Sequence, residues 1–64
     1  MFYVEIERAD GSVYFWNDKK LFEDSEDAEA RCEFLWSMKS HTGEFASFRV
    51  VEESTGDVYS ELEC

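Results

Sequence analysis

Apolar residues recur at alternate positions of segment 2–8, where Glu5 and Glu7 alternate with Val4 and Ile6 as in a β-strand that buries one face, and segment 12–16 is rich in strand-forming residues. Asp10 and Gly11 interrupt the alternation, and such a pair indicates a hairpin, because both turn residues must accept positive φ. We therefore expect strands over 2–8 and 12–16. With a two-residue loop, the core-facing residues are Val4, Ile6, Val13 and Phe15.

The segment 23–40 is the only one with a sustained helical period. On a wheel of about 3.6 residues per turn, Ala28, Cys32 and Leu35 form an apolar stripe. Trp36 lies on one flank of the stripe, and Phe34 and Met38 lie toward the other. The segment is therefore predicted to be an amphipathic helix that packs on a sheet.

Both ends of this helix carry recognisable signals. Asp24 or Ser25 is expected to be the N-cap residue, and Gly43 is expected to follow the helix end. Asp27 and Arg31 are four residues apart, so we expect them to pair on the helix surface.

A second hairpin is predicted after the helix, where alternating segments 44–53 and 58–64 flank Ser54, Thr55 and Gly56. A three-residue loop with glycine in the left-handed third position is a common hairpin connection. This register pairs Val51 with Tyr59, Val50 with Ser60, Arg49 with Glu61 and Phe48 with Leu62.

The predicted order is therefore β-β-α-β-β, an α+β fold in which one helix covers one face of a four-stranded antiparallel sheet. We expect residues 1–64 to form a single domain. The helix is expected to cover Val4, Ile6, Phe15, Ala46, Phe48, Val50, Val58 and Leu62.

Apolar and aromatic residues are also predicted on the sheet face away from the helix. They are Tyr3, Tyr14, Trp16, Phe45, Val51 and Tyr59. A contiguous exposed patch of this kind usually marks an interface. The first interpretation is a homodimer, the second is a different partner protein, and the third is that long neighbouring side chains cover the rings.

The charge balance is the most extreme property of this sequence. The chain has 16 acidic and 6 basic residues and a formal net charge of -10 at pH 7. Direct binding to nucleic acid or to an anionic membrane is therefore disfavoured, and basic proteins are the complementary partners. The simpler interpretation is that the charge only keeps a small protein soluble.

No residue pattern indicates catalysis, and we expect neither an enzyme nor a cofactor or metal site. His41, the single histidine, lies in the predicted turn after the helix with no adjacent nucleophile. Cys32 falls on the buried stripe and Cys64 is the last residue, so the two thiols are too few and too separated for a zinc site. They are expected to be reduced, which together with the absence of a signal peptide favours the cytoplasm.

Acidic residues dominate the exposed surface of the predicted helix. Glu26, Glu29 and Glu33 recur at intervals of about 4.5–6 Å of axial rise, comparable to the spacing of phosphates along a nucleic-acid strand. The candidate partner-binding residues are Glu23, Asp24, Glu26, Asp27, Glu29 and Glu33. The competing interpretation is a solvated helix face with no binding role.

In size, charge and lack of catalytic residues, the chain resembles the small acidic inhibitors that bacteriophages encode, including the DNA-mimic anti-restriction and anti-CRISPR proteins. The resemblance rests on general type and not on a shared motif. It implies a non-enzymatic inhibitor of a basic, nucleic-acid-handling protein, acting in the host cytoplasm if the source is viral. The alternative is a homodimeric structural or adaptor domain that assembles through its aromatic sheet face.

Overall fold

The structure is a computed structural model that describes residues 1–64. Four strands and one helix occur in the order predicted: β1 (Phe2–Arg8), β2 (Val13–Phe15), α1 (Ser25–Lys39), β3 (Phe45–Glu52) and β4 (Val58–Glu63). The strands form one antiparallel sheet in the spatial order β2-β1-β3-β4, and α1 packs against it. The predicted α+β class and architecture are confirmed.

The core lies between α1 and the two central strands. Its helix side consists of the predicted stripe of Ala28, Cys32 and Leu35, all of them buried. On the sheet side, the fully buried residues are Val4, Ile6, Phe48 and Val50. Leu62 of β4 packs against the edge of this cluster. No helix of the protein is long and apolar enough to cross a membrane.

The register of the first hairpin differs from the prediction by one residue. Ile6 is opposite Tyr14 and not Phe15, and the Arg8 amide donates a hydrogen bond to the Ser12 carbonyl at 2.8 Å. The loop therefore has three residues and ends at Gly11, whose φ of 92° suits glycine. Because a one-residue slip turns every side chain to the other face, Tyr14 and Trp16 face the helix and Phe15 faces away from it.

Asp10 stabilises this longer loop. Its carboxylate accepts hydrogen bonds from the Ser12 amide at 2.9 Å and the Ser12 hydroxyl at 2.7 Å. These two hydrogen bonds lower the pKa of the Asp10 carboxyl. A side chain that holds the backbone two residues ahead is a common device of turns, and here it selects the loop.

A left-handed turn links β2 to the helix. Asn17, Asp18 and Lys19 have φ of 51°, 54° and 62°, and the Lys20 amide approaches the Trp16 carbonyl at 3.4 Å. Such a conformation costs most residues about 1–2 kcal/mol each, with Asn and Asp paying least. The turn brings the chain back so that Phe22 pairs with Phe2 in an isolated bridge.

The second hairpin has the predicted register over its central pairs. Phe48 is opposite Leu62, Arg49 is opposite Glu61, and Val50 is opposite Ser60. The prediction for Val51 is wrong, because a bulge pairs it with Val58. Tyr59 is the extra residue at this bulge, and its ring packs edge-on against Phe2 at 5.3 Å.

Candidate functional site

One flank of α1 carries acidic side chains and faces β4. Glu29 and Glu33 line a shallow groove together with Cys32 of the core stripe and Ser60 and Leu62 of β4. On the same flank, the Trp36 indole N–H donates a hydrogen bond to the Glu63 carbonyl at 2.9 Å, which holds this part of the helix against β4. The helix acids therefore lie beside the β4 edge of the sheet.

Strand β4 adds its own carboxylates to this side of the molecule. Its sequence, Val58–Glu63, contains no basic residue and places Glu61 and Glu63 at alternate positions. Their carboxylates lie on the sheet face away from the helix, because Leu62 between them packs into the core. We call the combined surface the acidic side: Glu26, Glu29 and Glu33 on the helix with Glu61 and Glu63 on β4.

Arg49 is the only basic residue near this surface, and three carboxylates bind it. Its guanidinium contacts Glu5 at 2.9 Å, Glu7 at 3.2 Å and Glu61 at 3.1 Å, across both strands that adjoin β3. Burial alone would lower the pKa of Arg49, but the charge of Glu5 and the hydrogen bonds donated to Glu61, Glu7 and Glu5 raise it. The cluster keeps two negative charges in excess.

The other five basic residues lie over aromatic rings and form no ion pair. Arg8 lies 4.0 Å from the centre of the Tyr14 ring. The remaining contacts are Lys19 over Tyr3 and Phe15, Lys20 over Phe22, Arg31 over Trp16 and Phe34, and Lys39 over Phe45. Since Arg49 makes all three ion pairs of the protein, no basic side chain neutralises the helix part of the acidic side.

The predicted pair between Asp27 and Arg31 is absent. Arg31 lies between the rings of Trp16 and Phe34, at 5.0 Å and 5.2 Å from their centres. A cation on an aromatic face gains about 0.5–1 kcal/mol at exposed sites, comparable to or more than the few tenths of a surface helix pair. Asp27 lies on the flank of the helix away from Glu29 and Glu33, in a groove with Arg31 and Lys20.

The structure therefore separates the six predicted helix acids into two groups. Glu26, Glu29 and Glu33 share one stripe, whereas Asp27 belongs to the other flank. Glu23 and Asp24 are exposed at the helix start, where Asp24 is the N-cap residue but makes no side-chain capping hydrogen bond. None of the six forms an ion pair.

The predicted aromatic sheet face is not present as an exposed surface. Tyr14 and Trp16 pack on the helix side of the sheet, and the ring of Phe45 packs on Phe48 of the core. Tyr59 is 53% exposed, but its ring lies at the bulge against Phe2 and not on the open face. Of the six predicted residues, Tyr3 and Val51 alone remain on the open face, where they are cross-strand partners; Val51 is only 4% exposed.

Fewer apolar residues take their place on the open face. Val13, Phe15 and Val58 are the exposed apolar residues of the open face, at 46%, 40% and 53%. Phe15 contacts the Tyr3 ring at 5.4 Å, and Lys19 lies over both rings. Charged side chains around Arg49 occupy the centre of this face.

The two thiols differ in environment. Cys32 is buried, and burial, followed by the charges of Glu33 and Glu29, raises the pKa of its thiol to about 11. A thiol in this state is a poor nucleophile at neutral pH. Cys64 is exposed at the chain end.

No protein family model, no curated protein and no solved structure matches the chain.

Proposed function

We propose that this protein is a non-enzymatic acidic module that binds a basic, nucleic-acid-handling protein through its acidic side and thereby inhibits or modulates it. The single observation that supports this most is the distribution of charge. Thirteen of the sixteen acidic side chains have no ion-pair partner. Arg49 is the only cation that binds a member of the acidic side, Glu61, and the other five basic side chains lie over aromatic rings.

The geometry of the acidic side suits a groove built for a nucleic-acid backbone. Glu26, Glu29 and Glu33 stand on a helix whose opposite stripe is buried, so the packed helix keeps their backbone positions about 4.5–6 Å apart in axial rise. Phosphates recur at about 3.4 Å of axis per strand, and a protein groove lined by Lys and Arg follows that row. A row of carboxylates on a folded helix offers a comparable line of negative charge, and its backbone is already ordered before binding.

A capture experiment with matched variants tests the proposal. The tagged protein is incubated with lysate of its cellular host, and retained proteins are identified for three forms of the bait. The test variant carries Glu26→Gln, Glu29→Gln and Glu33→Gln. The control carries Asp18→Asn, Glu44→Gln and Glu53→Gln, which remove the same charge from exposed positions away from the acidic side. We expect the wild type and the control to retain a nucleic-acid-binding protein that the test variant loses.

A second experiment with the retained protein tests whether binding inhibits it. Its nucleic-acid binding is measured while the wild type or either variant is added, and we expect only the wild type and the control to displace the nucleic acid. If the test variant captures and displaces as well as the wild type, the acidic side is not the binding surface. The interaction is proposed to occur in the cytoplasm, where the two free thiols stay reduced.

The homodimeric alternative predicted from the sequence has little support as a second function. It depended on six apolar and aromatic residues of one sheet face, and four of them, Tyr14, Trp16, Phe45 and Tyr59, contact other parts of the protein. Self-association stays a prediction that sedimentation of the wild type would check.

A further inference from the structure

The outer edge of β4 is the only full-length free strand edge of the sheet. The sheet ends at β2 on one side and β4 on the other, and β2 has three residues against six for β4. An exposed edge presents unpaired backbone N–H and C=O groups to any extended chain that approaches it. Strand addition to such an edge is a common mode of peptide recognition.

The backbone groups that face outward can be identified from the ladder. The Cys64 amide donates a hydrogen bond to the Ala46 carbonyl at 3.0 Å, so the backbone N–H of Cys64 points inward toward β3. Because alternate residues of an antiparallel strand point in opposite directions, the N–H and C=O groups of Glu61 and Glu63 point outward. The Glu63 carbonyl already accepts a hydrogen bond from the Trp36 indole N–H at 2.9 Å. The backbone N–H and C=O of Glu61 and the backbone N–H of Glu63 are therefore free to pair with an added strand.

Carboxylates flank this edge on both faces of the sheet. On the helix side, Glu29 and Glu33 stand over Ser60 and Leu62. On the open side the strand carries Glu63, which is unpaired, and Glu61, which also binds Arg49. Alternate residues of a strand are about 6.6–6.8 Å apart, and residues one helical turn apart are separated by about 6 Å of rise. The side chains of an added strand would therefore meet a row of acids on either face.

We propose that the outer edge of β4 is the docking strand for the basic partner, which contributes an extended Lys/Arg-rich segment as a fifth strand of the sheet. The segment pairs with the free groups of Glu61 and Glu63, and its cationic side chains reach the acidic side. This inference rests on the proposed function for the charge of the partner, and adds to it the backbone mode of binding.

Charge favours this occupant over a second copy of the chain. Two β4 strands paired edge to edge would bring Glu61 and Glu63 of one copy against the same residues of the other, with no basic residue on either strand. Like charges opposite each other destabilise a strand pair. Acidic residues on an edge thus oppose self-pairing and attract a basic strand.

The test uses a synthetic peptide of four Lys-Val repeats and the variants Glu63→Pro and Glu63→Gln. Glu63 is exposed and forms no ion pair, so both variants are expected to keep the fold. Gln removes only the charge, whereas Pro also removes the outward N–H and puts a ring at the edge. Peptide affinity is measured by fluorescence anisotropy at low ionic strength, with circular dichroism as the check on folding.

We expect Glu63→Gln to weaken binding by about 2–3-fold and Glu63→Pro by at least about 10-fold. A peptide with a methyl group on every amide nitrogen keeps its charges but cannot pair as a strand. We expect it to bind the wild type as weakly as the unmodified peptide binds Glu63→Pro. Equal binding by both variants and by the methylated peptide would overturn strand addition and leave the proposed function intact. If the unmodified peptide does not bind the wild type at all, both proposals fail.

Discussion

Replacing Arg49 by methionine is expected to destabilise the protein through the three glutamates that it leaves behind. Arg49 is the only cation in contact with Glu5, Glu7 and Glu61, and its side chain is 16% exposed. Methionine retains an apolar stem that packs against the sheet, so the lost guanidinium is the main change. Each of the three glutamate carboxylates lies within 3.2 Å of the guanidinium. Once the guanidinium is removed, these three negative charges repel one another.

The magnitude lies between two limits. Removing one partner of a fully buried ion pair costs about 3–5 kcal/mol, and an exposed pair contributes at most about 1 kcal/mol. The glutamate side chains are 23%, 33% and 38% exposed, so they can turn partly toward water once released. We therefore expect a loss of about 2–3 kcal/mol in the free energy of unfolding, or about 10–20 °C in Tm for a domain of this size.

Urea unfolding followed by tryptophan fluorescence measures the loss, and a double-mutant cycle identifies its cause. In the wild type, Glu5→Gln removes an ion pair and should destabilise the protein. In the Arg49→Met background, the same change removes a repulsive charge and should stabilise it. If Arg49→Met costs less than about 0.5 kcal/mol, or Glu5→Gln has the same sign in both backgrounds, the cluster does not act as described.

Three further predictions address the register, a buried thiol and a buried hydroxyl. Tyr14→Ala should cost about 2–4 kcal/mol in urea unfolding and Phe15→Ala less than about 1.5 kcal/mol, because only Tyr14 packs on the core cluster. The pKa of Cys32 is raised from 9.0 to about 11, so its stabilising contribution is complete below pH 9 and is lost as the pH rises through 11. The free energy of unfolding should fall by about 1–3 kcal/mol over that window, and by less in Cys32→Ala. The Ser47 hydroxyl is buried without a hydrogen-bond partner, so Ser47→Ala should stabilise the protein by up to about 1 kcal/mol in the same assay.

Each of these has a clear contrary result. A larger loss for Phe15→Ala than for Tyr14→Ala would support the two-residue loop instead of the three-residue one. An identical pH dependence for the wild type and Cys32→Ala would show that the thiol is not shielded. A loss of stability in Ser47→Ala would show that the hydroxyl has a partner after all.

The helix and the second hairpin were predictable because their patterns admit few alternatives. Ala28, Cys32 and Leu35 recur at helical spacing and are buried as expected. Pairing Arg49 with Glu61 and Phe48 with Leu62 was correct, since the other loop length opposes an apolar residue to a glutamate. The bulge at Tyr59 carried no such signal, because it depends on the ring of Phe2 from a distant strand.

The first hairpin could not be settled by its pattern. Both faces of β2 carry apolar side chains, Val13 and Phe15 on one and Tyr14 on the other, so burial favours neither register strongly. The choice falls to Asp10, whose hydrogen bonds with Ser12 close the longer loop. The preference of Asp-Gly for a two-residue loop therefore placed the side chains of β2 on the wrong faces of the sheet.

Only the helix part of the acidic side was predictable from the sequence. The stripe of Glu26, Glu29 and Glu33 follows from helical spacing, but its position beside Glu61 and Glu63 requires β4 to be an edge strand next to it. Strand order is set by tertiary packing, which local pattern does not encode. Likewise, spacing suggested a pair between Asp27 and Arg31, and the rings that hold Arg31 come from elsewhere in the fold.

Mapping where a polycation binds shows whether the acidic side is the binding surface. Amide chemical shifts of the nitrogen-15-labelled protein are recorded while the peptide of Lys-Val repeats is added at low ionic strength. We predict that the changes concentrate on Glu26, Glu29 and Glu33 of the helix and on residues 58–63, and that added salt reverses them. Changes centred on the flank that holds Lys20 and Arg31, or spread evenly over all exposed acids, would contradict the proposal that the acidic side is the binding surface.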